Sequence, residues 1–324
     1  MTDLRVATFD RNSGVCRIGV DEEVKSATVP ESGWVWIDIS GPLDAGTRTM
    51  LEEDLQVPVL ALQDASRERH PPKLEILDHY YFLMLREISI ADDGEELNVS
   101  QLSLFIGENV LITYHALPCV SVDQTMDALV GKEIADSSPH SVAYLVCRKL
   151  IDICTPTVLT HEEELGAIED ALFDQTEDAT IEVLTRLNRR LRRLRRTLAY
   201  QARLFDQLRL DSSARGLSFD RYELNDLYEN MDRLSTLCQL NQELAVDLLN
   251  THLSIVSHKL NVVMRILTVV TIIVLPLGLL AGIYGMNFAV MPELSWKYGY
   301  FTVLGAMATV AIGLILFFRL KRWL

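Results

Sequence analysis

The spacing of hydrophobic positions changes character along this chain of 324 residues. Up to about residue 140, short runs alternate or are continuously apolar, rich in β-branched and aromatic residues. Trp34–Ile39, Tyr80–Ile90, Val99–Ile106 and Asn109–His115 predict strands on that pattern. Ala45–Leu55 and Leu60–Ser66 have helical spacing, and His70-Pro71-Pro72 breaks the chain before the sheet resumes. From about Ser141 the strand pattern disappears. Val142–Phe173 and Thr180–Leu208 predict two long helices joined near Gln175–Asp178 as an antiparallel hairpin. After a loop at Asp211–Gly216, helical spacing restarts near Ser218 and meets no proline until Pro276. Continued to Tyr284, that helix would be about 100 Å long at 1.5 Å per residue, a rod joining the body to the segments that follow. Those segments are Ile266–Pro292, 27 residues without a charge, and Tyr298–Phe318, another 21. Each is long enough to cross a bilayer core.

The expected architecture is therefore an α+β domain at 1–140, a helical hairpin at 141–210, and a long stalk helix at 217–284 whose membrane part is about 264–284. A loop at 285–297, a second transmembrane helix at 298–318 and a short tail at 319–324 complete it.

Charge follows the same division. The chain carries −15 overall, but from Lys259 onward six basic residues face the single acid Glu293, a balance of +5 that leaves −20 on residues 1–258. An acidic body is the wrong footprint for a nucleic-acid partner. The run Arg189–Arg196 does not change this: Leu187, Leu191, Leu194 and Leu198 thread it and acids precede it, so it reads as a solvated, ion-paired helix face. Lys259 and Arg265 before the first span, with Lys321 and Arg322 after the second, form a basic collar. By the positive-inside rule the collar places both termini in the cytoplasm of a two-span protein of the cell membrane, the inner membrane in a bacterium. Five scattered cysteines (Cys16, Cys119, Cys147, Cys154, Cys238) with no C-x-x-C pair fit a reducing compartment, and the start MTDLRVATFD has no signal-peptide pattern.

Catalytic chemistry is not indicated, and no catalytic cofactor is expected. Gly41–Gly46 has a passing likeness to a phosphate loop, but Thr47-Arg48 stands where Lys-Ser/Thr is required. Along the first span Asn261, Met264, Thr268, Thr271, Leu275, Gly278 and Gly282 recur at steps of three or four, drawing a small or mildly polar stripe on one helical face. Such a face suits helix packing, for which Gly278-x-x-x-Gly282 is a motif, or the lining of a pore. Two spans cannot enclose a water-filled path, so a channel built from this chain must be an oligomer.

At the outer end of the first span stand Tyr284-Gly285-Met286-Asn287, then Phe288 and Met291-Pro292-Glu293-Leu294. Tripeptide, distance from the span, loop and basic C-terminus together resemble the CorA family of divalent-cation channels, the Gly-Met-Asn superfamily. The resemblance implies a funnel-shaped homopentamer in the lipid bilayer, with Mg²⁺ as transported and regulatory ion and Co²⁺ or Ni²⁺ as further permeants. It makes Gly285, Met286 and Asn287 the selectivity filter, with Gly285 letting the backbone turn and Asn287 offering a ring of neutral amide oxygens. Mg²⁺ dehydrates reluctantly, so acceptors that hold its water shell suit it. Glu293 would collect cations at the outer loops. Asn261, Met264 and Leu267 match inner pore positions; Thr271, Leu275, Gly278 and Gly282 continue the lining. Leu275 and Gly278 stand where a branch of the family has methionine and threonine, so a carbonyl of Gly278, freed near Pro276, would have to replace the missing side-chain oxygen. The family also senses cytoplasmic Mg²⁺ through interfacial carboxylates. Asp226 matches its stalk position, with Asp92 or Asp93 of a neighbouring subunit as partner, Glu95 and Glu96 being the alternatives. A zinc transporter of the same superfamily, proton-coupled or not, is the second reading, and a membrane-anchored sensor the third.

Overall fold

The computed structural model describes residues 2–10, 15–20, 33–67, 70–91, 96–129, 138–174, 178–215, 219–286, 291 and 296–323. The chain divides into two compact units, Met1–Leu248 and Leu249–Leu324. The first contains a seven-stranded sheet of β1 (Asp3–Asp10), β2 (Val15–Val20), β3 (Gly33–Ser40), β4 (Lys73–Ile76), β5 (Tyr81–Ile90), β6 (Leu97–Ile106) and β7 (Val110–His115). Their order is β2-β1-β3-β7-β6-β5-β4, antiparallel throughout except for the parallel pair β3–β7.

Strands β1, β2 and β4 were not among those read from the hydrophobic pattern. β1 shows why: Leu4 and Val6 are buried, and so are Ala7 and Phe9 of the opposite parity. A strand covered on both faces loses the alternation that marks a half-buried one.

One face of the sheet, through Val6, Val35, Ile37, Ile39, Phe82, Met84 and Ile112, packs on α1 (Ala45–Thr49), the π-helical turn Met50–Asp54 and α2 (Val59–Ala65). The Asp44 carboxylate caps α1, accepting from the Thr47 amide at 2.7 Å. The helix predicted over Ala45–Leu55 thus forms but widens in its last turn, where Leu55 N–H donates to Met50 O at 3.1 Å. The opposite face, with Trp36, Leu83, Leu85, Leu104 and Leu111 fully buried, lies under α4 (Pro139–Asp174), which α3 (Val120–Leu129) accompanies.

Beyond its short pairing with β4, the edge of β5 presents free amides, and side chains from helices complete them. Arg86 N–H donates to Gln201 Oε1 at 2.6 Å, and Ile88 N–H to Cys154 Sγ at 3.4 Å. Gln201 belongs to α5 (Asp178–Arg215), which continues through Asp211, where a loop was expected. Leu184, Leu187, Leu191, Leu194 and Leu198 form its buried stripe. The final long helix, α6 (Arg221–Tyr284), buries Leu224, Leu227, Met231, Leu234 and Cys238 in its first half. Asn241 Nδ2 reaches Val158 O of α4 at 3.3 Å, and Arg195 of α5 reaches Gln242 Oε1 at 2.5 Å, which ties the three helices together.

Buried charge at one end of the sheet is fully organised. Asp38 on β3 is inaccessible to solvent; its Oδ2 accepts from Arg5 Nε and Nη2 of β1 at 3.0 and 2.7 Å, and its Oδ1 from Thr113 Oγ1 of β7 at 2.6 Å. Trp36 Nε1 donates to the same hydroxyl at 3.0 Å, and Arg5 also pairs with Asp123 of α3 at 2.7 Å. His115 Nδ1 lies 2.8 Å from Leu117 O, and its Nε2 sits 3.3 Å from Asp38 Oδ1, an ion-pair distance without hydrogen-bond geometry. Since Leu117 O can only accept, Nδ1 carries a proton, and the neighbouring carboxylate favours a second one on Nε2. Burial alone would raise the Asp38 pKa, but His115, Thr113 and Arg5 outweigh it and hold the carboxyl below its ordinary value. Burial alone would lower His115, but Asp38 and the Leu117 carbonyl raise it. Nearby, buried Glu87 of β5 accepts from the Val120 and Ser121 amides at 2.9 and 2.8 Å, a carboxylate at the positive end of α3.

The sign of the pH dependence follows. The contribution of Asp38 is present above about 4, its ordinary unfolded value, and is lost as pH falls through its lower folded value. That of His115 is complete below about 6.5 and is lost as pH rises through its raised folded value. The thermal midpoint of the detergent-solubilised chain should therefore fall as pH rises from about 6 to 8.5, and His115→Gln should flatten that slope. A slope retained in the variant would remove His115 from the account.

Candidate functional site

The second unit holds the rest of α6 and α7 (Gly299–Leu320), both long and apolar enough to cross a membrane. Their large apolar side chains point outward: Leu260, Met264, Leu267, Leu275 and Leu279 on α6, and Phe301, Ile312 and Leu316 on α7, are all exposed in the single chain. A surface of that extent requires lipid or protein as its surroundings.

Asn261, Met264, Leu267, Thr271, Leu275, Gly278 and Gly282 are likewise uncovered, and a methyl group added at Gly278 or Gly282 would meet nothing within 4 Å. Thr268 and Thr271 donate their hydroxyl protons back to Met264 O and Leu267 O at 2.7 and 2.8 Å.

Helix α6 stays helical through Pro276. The carbonyl left without a donor is thus that of Ile272, four residues back, not that of Gly278 as the sequence suggested. Gly285 N–H still donates to Ala281 O at 2.9 Å, and Met286 N–H to Ile283 O at 3.3 Å, so the helix tightens into its last turn there. Among the described glycines only Gly41 has a positive φ, so the chain turns at Gly285, just past the helix end at Tyr284, without a left-handed backbone; a Cβ there would lie 3.1 Å from Ala281 O. Asn287, Glu293, Asp92 and Asp93 lie outside the described residues.

Lys259, Arg265, Lys321 and Arg322 are all exposed. The end of α7 is a Schellman cap: Trp323 N–H donates to Phe318 O at 3.0 Å and Arg322 N–H to Arg319 O at 3.1 Å, with Arg322 at φ 56°. The Trp323 ring stacks on Phe318 at 5.7 Å, the apolar contact such caps make.

Asp226, in the first unit, is already engaged within its own chain. Its Oδ2 accepts from Arg148 Nη1 at 2.7 Å and Tyr144 Oη at 3.0 Å, and its Oδ1 from Asn230 Nδ2 at 2.9 Å. Burial pushes the Tyr144 pKa up, and the adjacent carboxylate adds to it. Burial alone would lower Arg148, but Asp226 and Asp152 raise it. Tyr144 and Arg148, one turn apart on α4, are neighbours of Asp226 that the sequence reading missed. Nothing local marks them, because only the packing of α4 on α6 brings residues so distant in the chain together. Among the described residues no three of His, Cys, Asp and Glu converge as a metal site.

An α/β domain whose last long helix continues as the first of two candidate membrane spans has the layout of a two-span membrane protein. A family model described as "CorA-like Mg2+ transporter protein" matches residues 31–322, and the chain belongs to that family, one of divalent-cation transporters rather than enzymes. YfjQ of Bacillus subtilis, whose name proposes metal ion transport, is 31% identical over 296 residues, 91% of each chain. The cobalt/magnesium transport protein CorA of Thermotoga maritima is 27% identical over 295 residues, 89% of this chain and 83% of that one. In structure, the complete CorA magnesium transporter of Methanocaldococcus jannaschii superposes with a TM-score of 0.81 at 20% identity, over 99% of this chain and 98% of the other. The cytoplasmic domain of ZntB from Vibrio parahaemolyticus gives 0.61 at 14%, over 79% and 99%. At these identities the structures speak for the fold alone.

The cap geometry yields an expectation. Arg322→Gly should relieve the left-handed strain and raise the thermal midpoint slightly, whereas Trp323→Ala should lower it by removing the stack. Equal effects of the two would rule out the cap as the cause.

Proposed function

We propose that the chain is one subunit of a homopentameric, funnel-shaped channel that carries Mg²⁺ inward, with Co²⁺ and Ni²⁺ as further permeants. The observation that carries this reading is α6: one helix from Arg221 to Tyr284, exposing a stripe of acceptors and small residues, and ending directly before Gly285-Met286-Asn287. In a ring of subunits that stripe faces the axis. Asn261, Met264 and Leu267 narrow the inner part, where apolar rings can dewet and close the path. Asn287 offers neutral amide oxygens to the water shell of the ion, and Glu293 draws cations to the mouth. Both termini face the cytoplasm, since Lys259, Arg265, Lys321 and Arg322 flank the spans on one side.

Regulation follows from Asp226. With Asp92 or Asp93 of the neighbouring subunit it would hold Mg²⁺ and keep the ring closed; loss of the ion leaves like charges face to face and opens it. Arg148 makes this an exchange. Asp226 leaves a guanidinium for the cation, which lowers the affinity for Mg²⁺ and sets the sensing range.

The test is uptake into liposomes. Asn287→Ala removes one amide from every subunit and should reduce Mg²⁺ flux at least about tenfold, the equivalent of about 1.4 kcal/mol, which is the worth of a single lost hydrogen bond; undiminished flux would defeat the filter assignment. Zn²⁺ uptake that requires a pH gradient, without Mg²⁺ uptake, would install the zinc reading instead. Asp226→Ala should weaken inhibition by cytoplasmic Mg²⁺, and Arg148→Ala should strengthen it, shifting the inhibitory concentration down. Shifts in the same direction would contradict the exchange.

A further inference from the structure

The arginine face of α5 is not the ion-paired surface that its sequence predicts. Arg186 pairs with Glu182, and Arg195 bonds Gln242, but among the described residues Arg189, Arg190, Arg193 and Arg196 have no carboxylate within ion-pair distance. With Arg186 they recur at steps of three and four, so like charges stack along one helical face, an arrangement that destabilises a helix unless an anion lies across it.

A groove runs beneath them. Two adjoining depressions of about 360 and 480 Å³ share Val99, Arg193 and Thr197. One is bordered by Arg186, Arg189 and Arg190; the other by Arg86, Arg196, His70 and Tyr200. Among the described residues the pair is lined by six arginines and one acid, Glu96, in a chain of net charge −15; Arg186 is ion-paired with Glu182 and Arg86 hydrogen-bonded to His70 O and Gln101 Oε1, which leaves Arg189, Arg190, Arg193 and Arg196 as those with no acid of the described residues within ion-pair distance. The two ends differ in chemistry. The first is arginine-rich, with Ile88 and Leu97 as its apolar wall. The second adds the exposed ring of Tyr200, the His70 imidazole and the prolines Pro71 and Pro72. His70 is held there by its backbone, since its carbonyl accepts from Arg86 Nη2 at 2.8 Å.

We propose that this groove binds a nucleoside triphosphate. The guanidinium forks of Arg189, Arg190 and Arg193 take the phosphate chain, as planar donors do with paired phosphate oxygens. The base lies against Tyr200, as bases stack on exposed aromatic side chains. A lone inorganic anion would use only the first end of the groove. The size of the second, and its ring-bearing wall, favour a ligand with a planar apolar group attached to its phosphates. The site is separate from the proposed ion path and does not depend on what that path carries.

Equilibrium dialysis of ATP against the full-length chain in neutral detergent tests it, with inorganic tripolyphosphate in parallel. Saturable ATP binding that weakens with added salt is expected. Arg190→Ala with Arg193→Ala should weaken both ligands about tenfold or more. Arg192→Ala, an exposed arginine that does not line the groove, should change neither. Tyr200→Ala should weaken ATP and leave tripolyphosphate as it was. Absent binding, binding indifferent to the double variant, or an equal loss with Arg192→Ala would overturn the site. Tyr200→Ala acting on both ligands alike, or on neither, would overturn the nucleoside assignment. Displacement of ATP by nanodiscs of phosphatidylglycerol but not of phosphatidylcholine would give the arginines to lipid headgroups and overturn it as well.

Discussion

A backbone that enters a bilayer must satisfy its polar groups within itself, because hydrocarbon offers no hydrogen bonds. Helix α6 meets that condition from Arg221 to Tyr284, and the rest of the functional reading depends on it. An unbroken helix keeps Asn261, Met264, Thr271, Leu275, Gly278 and Gly282 on one face, where the Thr271 hydroxyl donates back to Leu267 O. Pro276 releases a single carbonyl, that of Ile272, without ending the helix.

The same helix begins among soluble elements, where different forces hold it. There it presents Leu224, Leu227, Met231, Leu234 and Cys238 to α4 and α5 at helical spacing, while Asp226 on its polar side meets Arg148 and Tyr144. With Asn230 as a third donor, this carboxylate is satisfied within its own chain.

Within the body, charge is buried only where it is matched. Asp38 is surrounded by Arg5, Thr113 and His115, and Glu87 by the first amides of α3. Both lie on the sheet face beneath α3 and α4, where an unmatched carboxylate would be costly. Four arginines of α5 are the exception in the other direction: Arg189, Arg190, Arg193 and Arg196 have no acid of the described residues within ion-pair distance, but all reach solvent, Arg190 being half-buried and the other three exposed.

Much of the architecture was legible without coordinates, since it rests on local periodicity. Trp34–Ile39, Tyr80–Ile90, Val99–Ile106 and Asn109–His115 fall within or almost wholly within β3, β5, β6 and β7, and the long uncharged runs fall largely on the end of α6 and on α7. Hydrophobic spacing and uncharged length are properties of neighbouring residues, and so is the Gly285-Met286-Asn287 motif that points to the family. What escaped is non-local. β1 hides its alternation because residues of both its faces are buried, and β4 is too short to have a pattern. The partners of Asp226, the Asp38–His115 pair and the groove beneath Arg193 each join residues far apart in the chain. No spacing rule reaches across such distances; only the packing of sheet and helices chooses which distant side chains meet. The sequence by itself therefore determined four of the seven strands, the long helices, the candidate spans and the family, through local periodicity and motif. The tertiary structure alone decided which charges are neutralised and which are left open, because pairing depends on proximity in space rather than on order in the chain.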